Sequence, residues 1–224
     1  MIKIQVKICC IASAVEARLA LGLGADTVGL VGHMPSGPGV IGVAAAAQIA
    51  KKMPCGTDTF LLTSATRASE INKDLAVCPV SAVQIVRHID PAEYPKLIET
   101  APQVRRIQVV HIEDEGALDQ LARYQPFVDA FLLDSGKTVG ADQQFGGTGA
   151  THNWTISRRF VQRTNIPVYL AGGLNSTNVF EAITQVRPYG VDLCTGVRTD
   201  NQLDPVKLEA FMSEVRRAGQ ALGD

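Results

Sequence analysis

Apolar and polar positions along the chain follow two different spacings. Short apolar runs rich in Val, Ile and Phe are separated by segments in which apolar residues recur every three or four positions, as in amphipathic helices. The short runs are bounded by Gly, Pro, Asp and Ser, which commonly flank strands. They predict eight strands, at residues 2–9, 26–31, 58–63, 82–86, 106–112, 128–134, 166–171 and 190–195.

Several helical segments between these strands have recognisable starts. Ser13 and Glu16 have the spacing of a capping box. Asp204 precedes a proline at the first helical position, and Asn175 can cap the segment that follows it. Strand–helix units that repeat without a break in composition predict an α/β fold, a single (β/α)8 TIM barrel over residues 1–224. An open doubly wound sheet is the alternative, but no GxGxxG motif follows the first strand.

Composition and charge narrow the range of partners. The 224 residues are 46% hydrophobic and carry a formal net charge of −1, so no overall field attracts nucleic acid or an anionic membrane. No apolar run approaches the roughly 20 residues that span a bilayer. The 5 cysteines include no CxxC pair, which favours neither a disulfide framework nor a zinc site. We therefore expect a cytoplasmic monomer or homodimer that binds no nucleic acid, membrane or metal.

Glycine-rich segments follow the last two predicted strands. In a barrel of this type the site lies at the carboxyl ends of the strands, and phosphate is often held after strands 7 and 8. Backbone N–H groups in such loops and at helix starts bind phosphate. The alternative is that these glycines only make tight turns. The candidates are Gly172, Gly173, Thr195 and Gly196, joined by Gly147, Thr148 and Gly149 from a long loop after strand 6 that can also be a plain surface loop.

The first strand ends in two adjacent cysteines, Cys9 and Cys10. Its apolar residues occupy alternate positions and should face the helices, so Lys7 and Cys9 should face the barrel interior. Cys10 should then point toward the helices or into the following loop. A nearby ammonium favours the thiolate, which would make Cys9 a base or a nucleophile. The alternative role for Cys9 is that of a small buried apolar residue.

The sixth strand supplies a carboxylate. Asp134 ends the apolar run AFLL, where a charged group must be solvated, paired or functional. Strands 1 and 6 lie on roughly opposite sides of an eight-stranded barrel, so Cys9 and Asp134 would flank a bound substrate. Proton transfer at two positions of one substrate requires such an arrangement. Capping of the turn that follows is the alternative role for Asp134.

The same residues resemble the phosphoribosylanthranilate isomerase family over nearly the whole chain. VKICCI is similar to the family's KICG opening, and the motifs FLLD, FGGTG, LAGGLNSTNV and VRPYGVDLCTGV follow in the family's order. The resemblance implies a cofactor-free Amadori rearrangement of N-(5-phosphoribosyl)anthranilate in tryptophan biosynthesis. It implies that Asp134 protonates the furanose ring oxygen and that Cys9 removes the proton from the sugar C2. The three glycine-rich loops would hold the phosphate.

The sequence departs from the family pattern around the aromatic end of the substrate. The family's glycine after the catalytic cysteine is Cys10, and its histidine after strand 4 is Val86. The loop 32–41 lacks the family's arginine, which meets the anthranilate carboxylate through a charge-assisted contact. In the GGTG loop the usual Lys and Asp are Ala150 and Asn153. Candidates for substrate binding are Lys7, His33, Gln84 and Arg87, and the residues that could replace the missing arginine are His33, Arg67 and Arg87.

Two other functions remain open from the sequence. A paralogous isomerase on the same barrel would act on a different phosphorylated aldose or glycosylamine. A phosphosugar-binding barrel without catalysis would need no acid–base pair, whereas both Cys9 and Asp134 are present. The resemblance therefore favours a phosphorylated small-molecule substrate and an isomerase.

Overall fold

The computed structural model describes residues 2–35, 37–136 and 151–223. Parallel strands pair in sequence order and close into a barrel, because the first strand pairs with both the second and the eighth. This closure confirms the predicted (β/α)8 barrel and excludes the open sheet. The strands are β1 Gln5–Ile8, β2 Thr27–Val31, β3 Asp58–Thr63, β4 Ala82–Ile85, β5 Arg105–His111, β6 Ala130–Asp134, β7 Val168–Leu170 and β8 Gly190–Leu193.

Helices cover the outside of the barrel. They are α1 Ala14–Gly22, α2 Gly42–Ala50, α3 Ala68–Val77, α4 Tyr94–Thr100, α5 Asp119–Tyr124, α6 Trp154–Arg163, α7 Val179–Val186 and α8 Pro205–Ala221. Short 3-10 helices at Pro91–Glu93, Glu115–Leu118 and Thr195–Val197 and a hairpin of β9 Arg198–Thr199 with β10 Gln202–Leu203 lie between these elements. No helix in the described ranges is long and apolar enough to cross a membrane.

Side-chain caps fix the start of helix α1 where the sequence predicts it. The Ser13 hydroxyl accepts the Glu16 amide at 3.1 Å, and the Glu16 carboxylate accepts the Ala12 amide at 2.6 Å. These contacts satisfy amides that have no partner within the helix. Asp204 likewise accepts amides at the start of α8. The start of α1 places Glu16 close to the end of β1, where it takes part in the site described below.

Helix α7 begins later than the sequence indicates. Its first residue is Val179, preceded by Asn178 as the N-cap residue. The Asn175 side chain instead accepts the Thr177 amide at 2.9 Å, in a turn ahead of the helix. Asn178 donates to the Gly173 carbonyl at 2.9 Å, so the loop after β7 is tied to the start of α7.

Two apolar layers position the strands. Ile4, just before β1, and Val6 and Ile8 within it pack with the helices in the outer core, whereas Lys7 is enclosed inside the barrel, as the alternation predicts. A second cluster fills the barrel interior with side chains such as Phe60 and Tyr169, whose rings meet edge to face at 5.9 Å. This packing leaves the open space at the carboxyl ends of the strands.

Candidate active site

A cavity of about 790 Å³, including its open mouth, lies at the carboxyl ends of the strands. It is lined by three thiols, two carboxylates, one imidazole and the glycine loop after β7. The polar and small residues of its lining include Cys9, Cys10, Gln84, His111, Asp134, Gly172, Gly173, Asp192, Cys194 and Thr195. The end of the strands predicted from the barrel rule is therefore the end that holds the cavity.

The structure brings the predicted acid–base pair into this one cavity. Cys9 follows β1 and is 7% exposed, and Asp134 ends β6 and is half-buried. The Asp134 carboxylate accepts the Ser135 amide at 2.7 Å, which orients one of its oxygens. With the thiol and the carboxylate on different strands, a ligand between them can exchange protons with both.

A buried ion pair lies beneath Cys9. The Lys7 Nζ atom is 2.8 Å from the Asp192 Oδ1 atom, and the Lys7 side chain is fully enclosed. Burial acts to lower the Lys7 pKa, but the Asp192 carboxylate and the neighbouring thiols of Cys9 and Cys10 outweigh it and raise the pKa above its usual value. Lys7 therefore keeps a positive charge next to Cys9.

Lys7 therefore does not occupy the position of a residue that contacts substrate. It is absent from the cavity lining, whereas its partner Asp192 belongs to it. The sequence analysis missed Asp192, although a carboxylate inside the buried strand GVDL is a recognisable signal for a paired or functional group.

Cys10 departs from its predicted orientation. The strand ends at Ile8, and Cys10 adopts a left-handed backbone with φ 61°. Strand alternation therefore no longer governs its direction, and its thiol lies at the cavity, donating to the Pro38 carbonyl at 3.6 Å. Cys9 and Cys10 consequently both line the cavity, contrary to the expectation that adjacent side chains diverge.

The phosphate candidates after β7 and β8 pack against each other. Gly172, Gly173 and Thr195 line the cavity, and both glycines have positive φ, 84° and 62°. Gly196 is not in the lining but allows close approach of the two loops, because a Cβ there would lie 2.0 Å from the Leu174 carbonyl oxygen. The remaining phosphate candidates, Gly147, Thr148 and Gly149, lie outside the described residues, as does Ala150.

Most of the residues predicted to contact the substrate do not line the cavity. Gln84 lines it and is 3% exposed. His33 is exposed and lies close enough to Asp74 of α3 to influence it electrostatically. Arg67 is exposed ahead of α3, and Arg87 follows β4 without joining the lining. The apolar wall near this end is formed by Val31, Met34, Pro38, Leu62 and Val86.

His111 is a cavity residue that the sequence analysis missed. It ends β5, is 4% exposed and pairs in register with Asp134 of β6. Its Nε2 atom lies 3.1 Å from the Val86 carbonyl oxygen. Because a carbonyl only accepts, Nε2 carries a hydrogen, which defines the orientation of the ring. The run RIQVVHI contains this histidine, but a period-two pattern does not distinguish it from the buried residues around it.

Comparisons with known proteins identify the family of this chain. Residues 8–214 match the family of N-(5'phosphoribosyl)anthranilate (PRA) isomerase. The N-(5'-phosphoribosyl)anthranilate isomerase of Methanosarcina acetivorans is 35% identical over 237 residues, covering 96% of this chain and 94% of its own. The corresponding enzyme of Methanocella arvoryzae is 31% identical over 214 residues, covering 95% and 98%.

Solved structures show the same architecture. Phosphoribosyl anthranilate isomerase from Thermotoga maritima has a TM-score of 0.79 and 26% identity, covering 96% of this chain and 100% of that one. A further structure of such an enzyme, in complex with reduced 1-(o-carboxyphenylamino)-1-deoxyribulose 5-phosphate, has a TM-score of 0.77 and 24% identity, with coverage of 96% and 100%. The chain belongs to the N-(5'-phosphoribosyl)anthranilate isomerase family.

Proposed function

We propose that Asp134 and Cys9 are the general acid and the general base of the rearrangement of N-(5'-phosphoribosyl)anthranilate. The chain is an isomerase of the aldose–ketose type, from a family of tryptophan biosynthesis. The observation that carries the residue assignment is the single cavity lined by the Cys9 thiol, the Asp134 carboxylate and the glycine loop after β7. The product, 1-(2-carboxyphenylamino)-1-deoxyribulose 5-phosphate, has the same atoms as the substrate, so the reaction consumes no oxidant, reductant or co-substrate, in agreement with the cofactor-free rearrangement that the resemblance implies.

The proposed steps need one proton donor and one acceptor. Asp134 protonates the furanose ring oxygen, the ring opens and the nitrogen forms a Schiff base with the sugar C1. Cys9 then removes the proton from C2 to give an enolamine, which tautomerises to the C2 ketone. General acid–base catalysis of this kind contributes roughly 10²–10⁴-fold per positioned group.

The charge of Lys7 supports the base assignment. An unperturbed thiol is only a few per cent ionised near pH 7, so Cys9 needs help to act as a base. The Lys7 ammonium is held beneath Cys9 by Asp192, so a fixed positive charge lies next to the thiol. We assign Lys7 as a positioning residue that acts through Cys9 rather than through the substrate.

The two ends of the substrate have different surroundings. At the phosphate end, Gly172, Gly173 and Thr195 offer backbone groups, and Gly196 keeps the two loops in contact. At the aromatic end, the apolar wall suits an anthranilate ring. His111 is the residue of the described lining whose side chain can carry a positive charge, so we propose it as a contact for the anthranilate carboxylate.

Partner, location and assembly remain proposals. The bound compound in the related complex is phosphorylated, as is the proposed substrate. A cytoplasmic location agrees with 5 cysteines that lack a CxxC pair. A related enzyme from Thermotoga maritima, with 24% identity, is dimeric, and we propose a monomer or a homodimer for this chain.

Steady-state turnover of N-(5'-phosphoribosyl)anthranilate by the purified protein tests the proposal. We expect turnover by the wild type, a loss of roughly 10²-fold or more for Asp134→Asn and for Cys9→Ser, and retained affinity for a product analogue. The matched controls are Asp119→Asn and Cys55→Ser, since both side chains are exposed away from the cavity.

The outcomes separate the alternatives. Absence of turnover by folded wild-type protein that still binds the phosphorylated analogue would favour a phosphosugar-binding protein or an isomerase of another glycosylamine. Turnover of another phosphorylated aldose in the same assay would select the paralogous isomerase. Near-wild-type rates for Asp134→Asn or Cys9→Ser would remove that residue from its role while leaving the family activity in place.

A further inference from the structure

Three thiols from two neighbouring strands meet in the cavity. Cys9 and Cys10 are each 7% exposed, and Cys194 is half-buried at the end of β8. The Cys194 side chain packs against the cluster that contains Cys9 and Cys10, and all three thiols line the cavity. Only Cys9 has a part in the proposed isomerisation, so Cys10 and Cys194 form a pair that the reaction does not use.

The backbone around these thiols is held by Arg198. Its guanidinium donates to the Cys9 carbonyl at 3.1 Å and to the Cys10 carbonyl at 2.8 Å, and it pairs with Glu16. The Cys9 amide donates to the Leu193 carbonyl at 2.9 Å, which ties β1 to the residue before Cys194. Strand pairing and a buried guanidinium therefore fix the backbone of Cys9 and Cys10 beside the residue that precedes Cys194.

The left-handed turn at Cys10 completes this arrangement. A Cβ at Gly39 would lie 2.4 Å from the Cys10 Cβ, so the loop after β2 fits closely against Cys10 because Gly39 has no side chain. Leu193 pairs in register with Ile8, so Cys194 lies opposite Cys9 and one position from Cys10. The ends of β1 and β8 therefore bring Cys10 and Cys194 to the same part of the cavity, as a covalent link between them would require.

The two thiols differ in reactivity. Hydrogen bonding from the Cys10 thiol lowers the Cys194 pKa, burial opposes this, and the positive charge of Arg198 adds to the lowering. Hydrogen bonds with Cys194 and Cys9, together with burial, raise the Cys10 pKa. Cys194 is also the more exposed of the two, so it is the one that meets an oxidant first.

We propose that Cys194 and Cys10 form a peroxide-reactive dithiol, which closes to a disulfide in the cavity and reversibly stops turnover. The Cys194 thiolate attacks hydrogen peroxide, the O–O bond breaks, and Cys194 becomes a sulfenic acid as hydroxide leaves. Cys10 then loses its proton and attacks the Cys194 sulfur, which expels the hydroxyl as water. Two thiols lose two electrons, and one peroxide becomes two waters; a dithiol reductant reverses the oxidation.

A disulfide at this place would obstruct the reaction centre. Both sulfurs belong to the cavity lining next to Cys9, so the bridge would draw the Cys9–Cys10 turn toward β8. A small displacement of a catalytic group is enough to slow an enzyme roughly a hundredfold. The effect on turnover rests on the proposed function, whereas the disulfide itself does not.

The test is a titration of the full-length protein with hydrogen peroxide, followed by digestion without reduction and peptide mass spectrometry. We expect a peptide pair that joins Cys10 to Cys194 and has lost two hydrogen atoms, with a loss of turnover of at least about tenfold that dithiothreitol restores. Cys194→Ser and Cys10→Ser should each abolish this link and the reversible loss, measured against each variant's own untreated rate. Cys55→Ser, which removes an exposed thiol, should behave as the wild type.

Each other outcome counts against the dithiol. A dominant link between Cys9 and Cys10, oxidation of Cys9 to a sulfinic acid, or no link at peroxide levels that oxidise Cys55 would overturn it. Peptide mapping does not depend on the substrate, so a mapped Cys10–Cys194 link in a protein without isomerase turnover would separate failure of the proposed function from failure of this inference. A mapped link that leaves turnover unchanged would overturn the proposed switch.

Discussion

The buried ion pair of Lys7 and Asp192 gives the sharpest test of how this barrel is built. The two side chains are 0% and 8% exposed, and their charged atoms are 2.8 Å apart. At that distance the attraction is about 6 kcal/mol with an effective dielectric constant of about 20, before the cost of removing both ions from water. Lys7→Met removes one charge and leaves the other enclosed, for which we expect a loss of about 3–5 kcal/mol in the free energy of unfolding.

The pH dependence of this loss has a defined sign. In Lys7→Met the Asp192 carboxyl has lost its cation, so burial should hold its folded pKa well above the usual value of 3.8. The folded variant then binds a proton that the unfolded chain releases, and the destabilisation shrinks as the pH falls through the folded pKa. In the wild type the Lys7 pKa is raised, so its contribution is fully present below 10.5 and is lost only as the pH rises through the folded pKa.

Urea unfolding of Lys7→Met, Asp192→Leu and the double variant measures the coupling. The double variant should be considerably more stable than the sum of the two single losses predicts, because neither charge is left alone. Lys96→Met is the matched control, since its ion pair with Glu93 lies at the surface, and its stability should change little. A loss below about 1 kcal/mol for Lys7→Met, or simple additivity in the double variant, would refute the reasoning.

Three further predictions use other parts of the structure. Gly196→Ala should raise the KM for the phosphorylated substrate roughly tenfold or more, because the new Cβ would overlap the Leu174 carbonyl. The control Gly22→Ala lies in open space on α1 and should raise the free energy of unfolding by about 0.5–1 kcal/mol. Burial, together with the nearby charges of His111 and Arg123, lowers the His88 pKa from 6.5 to about 4. The free energy of unfolding in urea should therefore fall as the pH drops from about 6.5 to about 4, and His88→Phe should make it less dependent on pH over that range. His111→Asn should raise KM more than it lowers kcat if His111 contacts the anthranilate carboxylate; an unchanged KM would remove it from that role.

Local sequence patterns were sufficient to predict the strands of the barrel and the burial of Lys7 inside it. Apolar runs of strand length are separated by helical periodicity, and this order allows few arrangements other than a barrel. Alternation within β1 also correctly placed Lys7 inside. It did not predict the direction of the Cys10 side chain, because the alternation stops where the strand ends. Cys10 has a left-handed backbone and packs closely against the loop that contains Gly39.

The start of α7 shows the limit of local signals. Asn175 and Asn178 are both good N-cap residues, and the sequence offers no way to choose between them. The helix begins after Asn178, whose side chain makes no capping bond and instead donates to the Gly173 carbonyl of the loop after β7. The residue at this helix start is therefore held by a loop contact rather than by a local side-chain cap.

The sequence alone determined the barrel, the end of the strands that holds the cavity and the family resemblance, since these depend on periodicity, residue type and order. Only the tertiary structure decided which groups meet. Lys7 and Asp192 are 185 positions apart and pair because closure of the barrel places β1 beside β8. The same closure brings Cys194 to Cys10, and the pairing of β5 with β6 places His111 beside Asp134. Such contacts follow from strand register in three dimensions, which no local pattern of the chain encodes.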